Sequence, residues 1–458
     1  MINNIEYKKD NPSFSDQLWR LFNISPKNFT FQVTENCNLK CTYCYQINKS
    51  YHAMNFEIAK LYCDMILKGT APYILDDNGE YPKGAIIEFI GGEPLLQVDL
   101  ISQICDYLIT EMIKQNHPWL FRFRFSISTN GTLYFTSKVQ DFIKKFAPWL
   151  SLNITLDGNK ALHDSCRLFE DGSGSYDIVK KAVEYHRQYW DAGMGTKLTI
   201  APANIEFLYD AVINFIEMGF TCIHLNCVFE KGWELSHAIT LYNQLKKIAN
   251  YILEHDLFDK VFLSIFEENA FYQLPETDIN NWCGGNGQML ALDWKGDYYP
   301  CIRYMESSLG ENIPPLKIGS INKGIGTNEN EQNIINELKS ITRQSQSTQE
   351  CLKCPISAGC AWCSGYNYQD TGSVNKRATY ICVMHKARSL ACAYFFNSAY
   401  LYYNIPKSFK INLPKEEAIT ILPKEEYEEL KFLEQLTLDT ARFNYDSIIE
   451  YLKNFDFL

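Results

Sequence analysis

No run of eighteen uninterrupted apolar residues occurs in the 458-residue sequence, so nothing in it reads as a membrane-spanning helix. The opening stretch, MINNIEYKKDNPSFSDQLWR, lacks the basic-then-apolar order of a secretory signal, and the chain is expected to be cytoplasmic. Positive charge is scarce as well. Against 54 Asp and Glu stand 43 Lys and Arg, for a formal net charge of -11, and no basic stripe is segregated from the acids. A phosphate backbone repels such a surface, which argues against nucleic-acid partners. Cysteine, by contrast, is abundant, with 16 residues. A reducing compartment keeps thiols free, so this many points to metal ligation or catalysis rather than to disulfides.

From about residue 28 to 230, short β-branched or aromatic runs alternate with stretches of helical periodicity, an order that predicts a parallel sheet. The predicted strands are Asn28 to Val33, Ala85 to Ile90, Arg122 to Ser128, Leu150 to Leu156, Lys197 to Ala201 and Cys222 to Val228. Several run into small or polar residues, as at Gly91-Gly92-Glu93, Thr129-Asn130-Gly131 and Asp157-Gly158, where a parallel barrel collects its chemistry. Residues 239 to 258 read as a helix leading out of this unit. The polar stretch Thr327 to Asn333 reads as a loop. Leu-Pro-Lys-Glu-Glu occurs at 413 to 417 and again at 422 to 426, each time with Pro and acids placed as at a helix start.

Cys37, Cys41 and Cys44 place three thiols within eight residues, with no fourth in the same loop. A closed zinc site takes four ligands, whereas a cubane held by three thiolates keeps one iron open. This Cys-x3-Cys-x2-Cys spacing, with Tyr43 before the third Cys, resembles the signature of the radical S-adenosylmethionine (SAM) superfamily. The resemblance implies a partial (β/α)6 TIM-like barrel, a 4Fe-4S cluster on the three cysteines, and SAM on the open iron as the source of a 5'-deoxyadenosyl radical. It also implies SAM contacts from Tyr43, Gly91, Gly92, Glu93, Ser128, Asn130, Thr155, Asp157 and Arg167, with glycine letting backbone approach the ligand. Arg167 could pair with the SAM carboxylate or make a surface salt bridge.

A second constellation comprises Cys283, Cys301, Cys351, Cys354, Cys360, Cys363 and Cys382. It resembles the SPASM extension of peptide-modifying radical SAM enzymes, which implies two auxiliary 4Fe-4S clusters and three clusters in all. By order of matching positions Cys283, Cys301 and Cys363 would hold auxiliary cluster I, and Cys351, Cys354, Cys360 and Cys382 auxiliary cluster II. The matching upstream Cys is absent, so the first would keep an open iron. A zinc ribbon on Cys351, Cys354, Cys360 and Cys363 is the alternative. Cys63, Cys105, Cys166, Cys222, Cys227 and Cys392 read as core thiols, Cys392 being the one that could supply a missing ligand.

The implied organisation is an N-terminal extension (1–27), the radical SAM core (28–236), linker helices (237–282), a SPASM domain (283–392) and a C-terminal helical tail (393–458). The 27 residues ahead of the first strand are too few for a peptide-recognition domain, so the leader is expected to be held otherwise: the tail or a sheet edge could hold it, or the tail could simply pack on the barrel. The resemblance implies a maturase of ribosomally made peptides that forms a thioether or carbon-carbon cross-link, served by an external electron donor such as a ferredoxin or flavodoxin. Peptide epimerisation and sulfatase maturation are the alternatives. Ile302 follows Cys301 where the sulfatase-maturating members carry an Asp, which argues against formylglycine formation. No catalytic acid or base is legible.

Overall fold

In the computed structural model, residues 26–453 are described apart from 71–72, 74, 76–78, 280–282 and 311; side chains beyond 442 are left aside. The predicted N-terminal extension thus lies almost wholly outside the described residues. All the predicted strands form, as β1 (Lys27–Thr34), β2 (Ala85–Gly91), β3 (Phe123–Thr129), β4 (Leu150–Ile154), β5 (Thr196–Ile200) and β6 (Cys222–Cys227). The first four pair in parallel in sequence order, and β5 pairs in parallel with β6 in a second sheet. Helices follow the strands and cover the outer face, as in a partial barrel.

The alternation within β1 shows why. Phe29, Phe31 and Val33 are buried under α1 (Phe56–Lys68), where Phe31 meets Tyr62 at 4.6 Å between ring centroids. Thr30, Gln32 and Thr34 occupy the opposite, inner face. There Thr30 Oγ1 donates to Glu88 Oε2 at 2.8 Å and Gln32 Nε2 donates to Ser307 Oγ at 2.9 Å. Farther round the wall Ser128, Asn153, Lys197, His224 and Asn226 sit on strands yet remain exposed. The lumen is polar and open, which suits a substrate channel rather than a packed barrel centre.

The Cys-rich region is stitched onto this barrel in a way the sequence does not announce. Strand β7 (Met289–Leu292) pairs in parallel with β1, and β8 (Asp297–Tyr299), β9 (Gly319–Ser320) and β10 (Gly324–Ile325) extend the same sheet antiparallel. The β1 edge is thereby closed to an added peptide strand. The stretch Thr327 to Asn333 is not the predicted loop: Asn328 caps a helix spanning Glu329–Ser340, its side chain accepting from Glu331 N at 3.1 Å. Glu329 and Glu331 favour its first turn, and the polar sequence hid a helix whose buried residues are Glu331 and Leu338.

The helix predicted over 239 to 258 spans Leu235–Glu254 and packs against Cys382–Tyr402. The latter helix runs without a break through residue 392. Both Leu-Pro-Lys-Glu-Glu copies start helices, Lys415–Ala418 and Lys424–Lys453. Ala418, Ile421, Leu422, Tyr427 and Leu430 are buried in the main core, and Glu426 accepts from Tyr242 Oη at 2.9 Å. This part of the tail therefore packs on the barrel, the second of the two readings the sequence left open. Among the described residues no helix is long and apolar enough to cross a membrane.

Candidate functional site

The cysteine loop after β1 is held from three sides. At the end of β2 a Cβ on Gly92 would lie 2.3 Å from Asn36 O and 2.7 Å from Cys37 Cβ, and one on Gly91 would lie 2.5 Å from Thr34 O. Both glycines are thus required by the approach of the cysteine loop itself, where the sequence suggested approach to a ligand. The same contact is fixed by Glu93 N donating to Asn36 O at 2.8 Å.

Glu93 is 1% exposed, and its carboxylate is occupied by the protein. Oε1 accepts from Thr129 Oγ1 (2.7 Å) and Leu95 N (3.0 Å), and Oε2 accepts from Asn130 N (2.8 Å). It clamps the ends of β2 and β3 together. Asn130 is similarly employed: Nδ2 donates to Asn38 Oδ1 at 2.8 Å, while Oδ1 accepts from Thr132. This second fastening ties β3 to the loop between Cys37 and Cys41. Asn38 and Thr132 were not singled out by the sequence, whose turn chemistry gave no sign of a partner some ninety residues away.

The third side centres on Asp157, 1% exposed after β4. Its Oδ2 accepts from Arg167 Nε at 2.6 Å and from the Tyr43 hydroxyl. Arg167 is itself buried, so its salt bridge is not the surface pairing the sequence allowed: its partner is the buried Asp157. Arg167 also pairs in register with Cys41, its guanidinium lying 3.9 Å from Cys41 Sγ and 5.4 Å from the Tyr43 ring centroid. Burial pushes the Cys41 thiol up to about 11, with Arg167 opposing and Cys44 and Cys37 adding to the rise. His163 donates or accepts at Ser175 Oγ (3.0 Å) and accepts from Asp157 N (3.1 Å). Asp157 Oδ1 is buried and has no partner. Ser128 is exposed on the lumen side, and Thr155 N donates to Thr129 O at 3.0 Å, leaving both side chains beside the open face.

The structure sorts the remaining cysteines spatially. Sγ atoms of Cys283 and Cys301 both lie beside Gly285, 3.5 and 3.7 Å from where its Cβ would stand. Cys363 joins them: burial raises its pKa, and Cys283 is the charge that raises it further. Cys360 responds instead to Cys354 and Cys351, and Cys382, pushed by burial to about 12, responds to Cys360 and Cys351. The four sequence neighbours of the zinc-ribbon alternative are thus divided between two groups. Cys392 lies ten residues along the helix from Cys382, about 15 Å at 1.5 Å per residue, and its Sγ contacts Ile265 O at 3.6 Å.

Among the described residues no three His, Cys, Asp or Glu side chains converge around a single metal ion. The donor sets are nevertheless those of iron-sulfur chemistry: groups of three, three and four thiols, none in a disulfide, with cations beside them. Lys49, missed in the sequence, lies beside Cys44, whose charge raises the Lys49 pKa against the effect of burial. Arg377 Nη2 donates to Cys360 Sγ at 2.9 Å. Arg303, also missed, bears on Cys301 and Cys363 and lies 5.5 Å from the Tyr45 ring centroid and 3.1 Å from Glu230 Oε1. Such donors favour thiolates and the negative charge of a cluster.

No family model matches the chain. A cysteine-type anaerobic sulfatase-maturating enzyme of Clostridium perfringens (strain 13 / Type A) is 24% identical over 358 residues, 72% of this chain and 87% of that protein. The antilisterial bacteriocin subtilosin biosynthesis protein AlbA of Bacillus subtilis (strain 168) is 24% identical over 294 residues, 62% of this chain and 57% of that protein. A solved structure of anSMEcpe with bound AdoMet and a peptide matches with a TM-score of 0.57 at 18% identity, covering 83% of this chain and all of that one (100%). Together with the partial barrel and the cysteine loop at its open end, these likenesses mark the chain as a radical SAM enzyme with a Cys-rich C-terminal region, similar in sequence to the sulfatase-maturating enzyme and AlbA and in fold to anSMEcpe.

Proposed function

We propose that this protein binds SAM at a 4Fe-4S cluster on Cys37, Cys41 and Cys44 and joins two positions of a ribosomally made peptide through a thioether or carbon-carbon bond. When bound, cluster and cofactor supply removal of a hydrogen atom from the peptide. The chain's own residues do the positioning. The Gly92, Asn130 and Asp157 fastenings hold the cysteine loop at the lumen mouth, and the polar lumen receives the peptide. Auxiliary clusters on Cys283, Cys301 and Cys363 and on Cys351, Cys354, Cys360 and Cys382 complete the proposed complement of three, reduced by an external carrier such as a ferredoxin or flavodoxin.

The observation that carries the cross-linking reading is the three-thiol set Cys283, Cys301 and Cys363 beside Arg303. Three ligands leave a fourth coordination position for a substrate thiolate, since metal coordination favours the deprotonated sulfur. Arg303, near Tyr45, places a cation beside that set. At the position where sulfatase-maturating members carry an Asp stand Ile302 and then Arg303, with no carboxyl to act as a base. Sulfatase maturation is the second reading, favoured by the likeness to the sulfatase-maturating enzyme. Reconstituted protein, SAM, reductant and a Cys-containing candidate peptide should give 5'-deoxyadenosine and a product lighter by about two mass units, the two hydrogens lost in forming one bond. A formylglycine product instead selects the second reading, and no 5'-deoxyadenosine refutes both.

A further inference from the structure

His385 is 2% exposed, and neither Nδ1 nor Nε2 has a hydrogen-bond partner. The backbone of Ala361 lies beside the ring without reaching hydrogen-bond geometry. A neutral imidazole carries one N–H donor and one acceptor, and native interiors rarely leave both unmet. The position of the ring narrows the explanation. His385 lies one turn after Cys382 on the same helix face, and Ala361 directly follows Cys360. The ring therefore lies on the side of the helix that carries Cys382 and beside the residue that follows Cys360.

Its neighbours have a common character. Arg377 Nη2 donates to Cys360 Sγ at 2.9 Å and to Cys360 O at 2.6 Å. One turn beyond His385, Arg388 is bound to Glu267 Oε1 at 2.6 Å and bears on the His385 ring. Burial and those two cations disfavour a charge on the imidazole. A neutral ring can give one proton to a sulfur while Arg377 gives another.

We propose that the His385 N–H donates a hydrogen bond to a sulfur of the iron-sulfur cluster held by Cys351, Cys354, Cys360 and Cys382, and that with Arg377 it raises that cluster's reduction potential. The inference rests on the reading that this thiol group holds a cluster. Reduction adds negative charge that spreads over the sulfurs, so a donor fixed on them stabilises the reduced form more than the oxidised one. His385 is thus a positioning residue for electron transfer, with no contact to substrate required.

Potentiometric titration of the reconstituted protein, followed by electron paramagnetic resonance, tests this. His385→Leu should lower the reduced-to-oxidised ratio of this cluster at fixed poise about tenfold, which is about 59 mV for one electron. His385→Gln, which keeps an N–H donor, should recover most of it. An unchanged potential in an iron-replete His385→Leu protein overturns the proposal, as does a Gln variant that behaves like Leu. Should the variants fail to load, wild type grown on 15N-histidine decides: a weak 15N coupling to the reduced cluster supports the hydrogen bond. No coupling, or the strong coupling of a directly ligated nitrogen, overturns it. If replacing Cys351 and Cys382 together leaves the iron content unchanged, the underlying cluster assignment fails instead.

Discussion

Replacing Arg167 by Met would test how the cysteine loop is held. Arg167 and Asp157 are buried together, with side chains 10% and 1% exposed and Nε to Oδ2 at 2.6 Å. Removing one member of such a pair leaves a buried charge uncompensated, at a cost of about 3–5 kcal/mol. Asp157 would keep only the Tyr43 hydroxyl and the backbone contact to His163. Because Arg167 pairs in register with Cys41, and Thr42 N donates to Cys166 O at 3.0 Å, the cost falls on the cysteine loop first. At 1.36 kcal/mol per decade, amide hydrogen exchange at Thr42 should speed up roughly a hundredfold to several thousandfold. Iron held at Cys37, Cys41 and Cys44 should fall in parallel. The double variant D157N/R167M should regain part of the loss, since it removes the uncompensated charge. Exchange at Thr42 within tenfold of wild type in R167M, or a double variant no better than the single one, would refute the reasoning.

Gly92→Ala should displace the cysteine loop, because the added methyl would meet backbone 2.3 Å away; iron quantitation should show loss at the radical site alone. Gly310→Ala is the control, its nearest neighbour being a side-chain atom at 3.7 Å. Arg303→Met should leave SAM cleavage without peptide largely intact but slow peptide modification at least tenfold, read by mass spectrometry; equal loss of both activities would count against its proposed place beside the substrate. His186 is buried against Tyr134 Oη at 3.1 Å, and burial lowers its pKa from 6.5 to about 4. The unfolded chain therefore binds the proton first, so stability is full above about pH 6.5 and is lost as pH falls toward about 4. His186→Gln should flatten the denaturation midpoint across that window, and an unchanged slope would show that the imidazole is not the group responsible.

The sequence by itself determined the reagent and the frame. Cys37, Cys41 and Cys44 lie within eight residues, so their joint chemistry needs no long-range folding to be read. Strands such as β1 were legible because Phe29, Phe31 and Val33 alternate with Thr30 and Gln32, a pattern written into neighbouring positions. The helix at Glu329–Ser340 was not, because its first turn is polar and only its cap and dipole chemistry favour it.

Tertiary structure alone decided which way the polar residues face. Glu93, Asn130 and Arg167 have the residue types of ligand contacts, but each spends its side chain on the protein: Glu93 on Thr129, Asn130 on Asn38 and Arg167 on Asp157. Those partners come together only when separate strands meet at one barrel end. The division of Cys360 from Cys363 has the same origin. Cys363 caps the helix Ser364–Thr371, accepting from Tyr366 N, and the chain turns there toward Cys283 and Cys301. Spacing along a chain fixes which side chains can be neighbours locally, whereas burial and partners from distant segments fix where each one points.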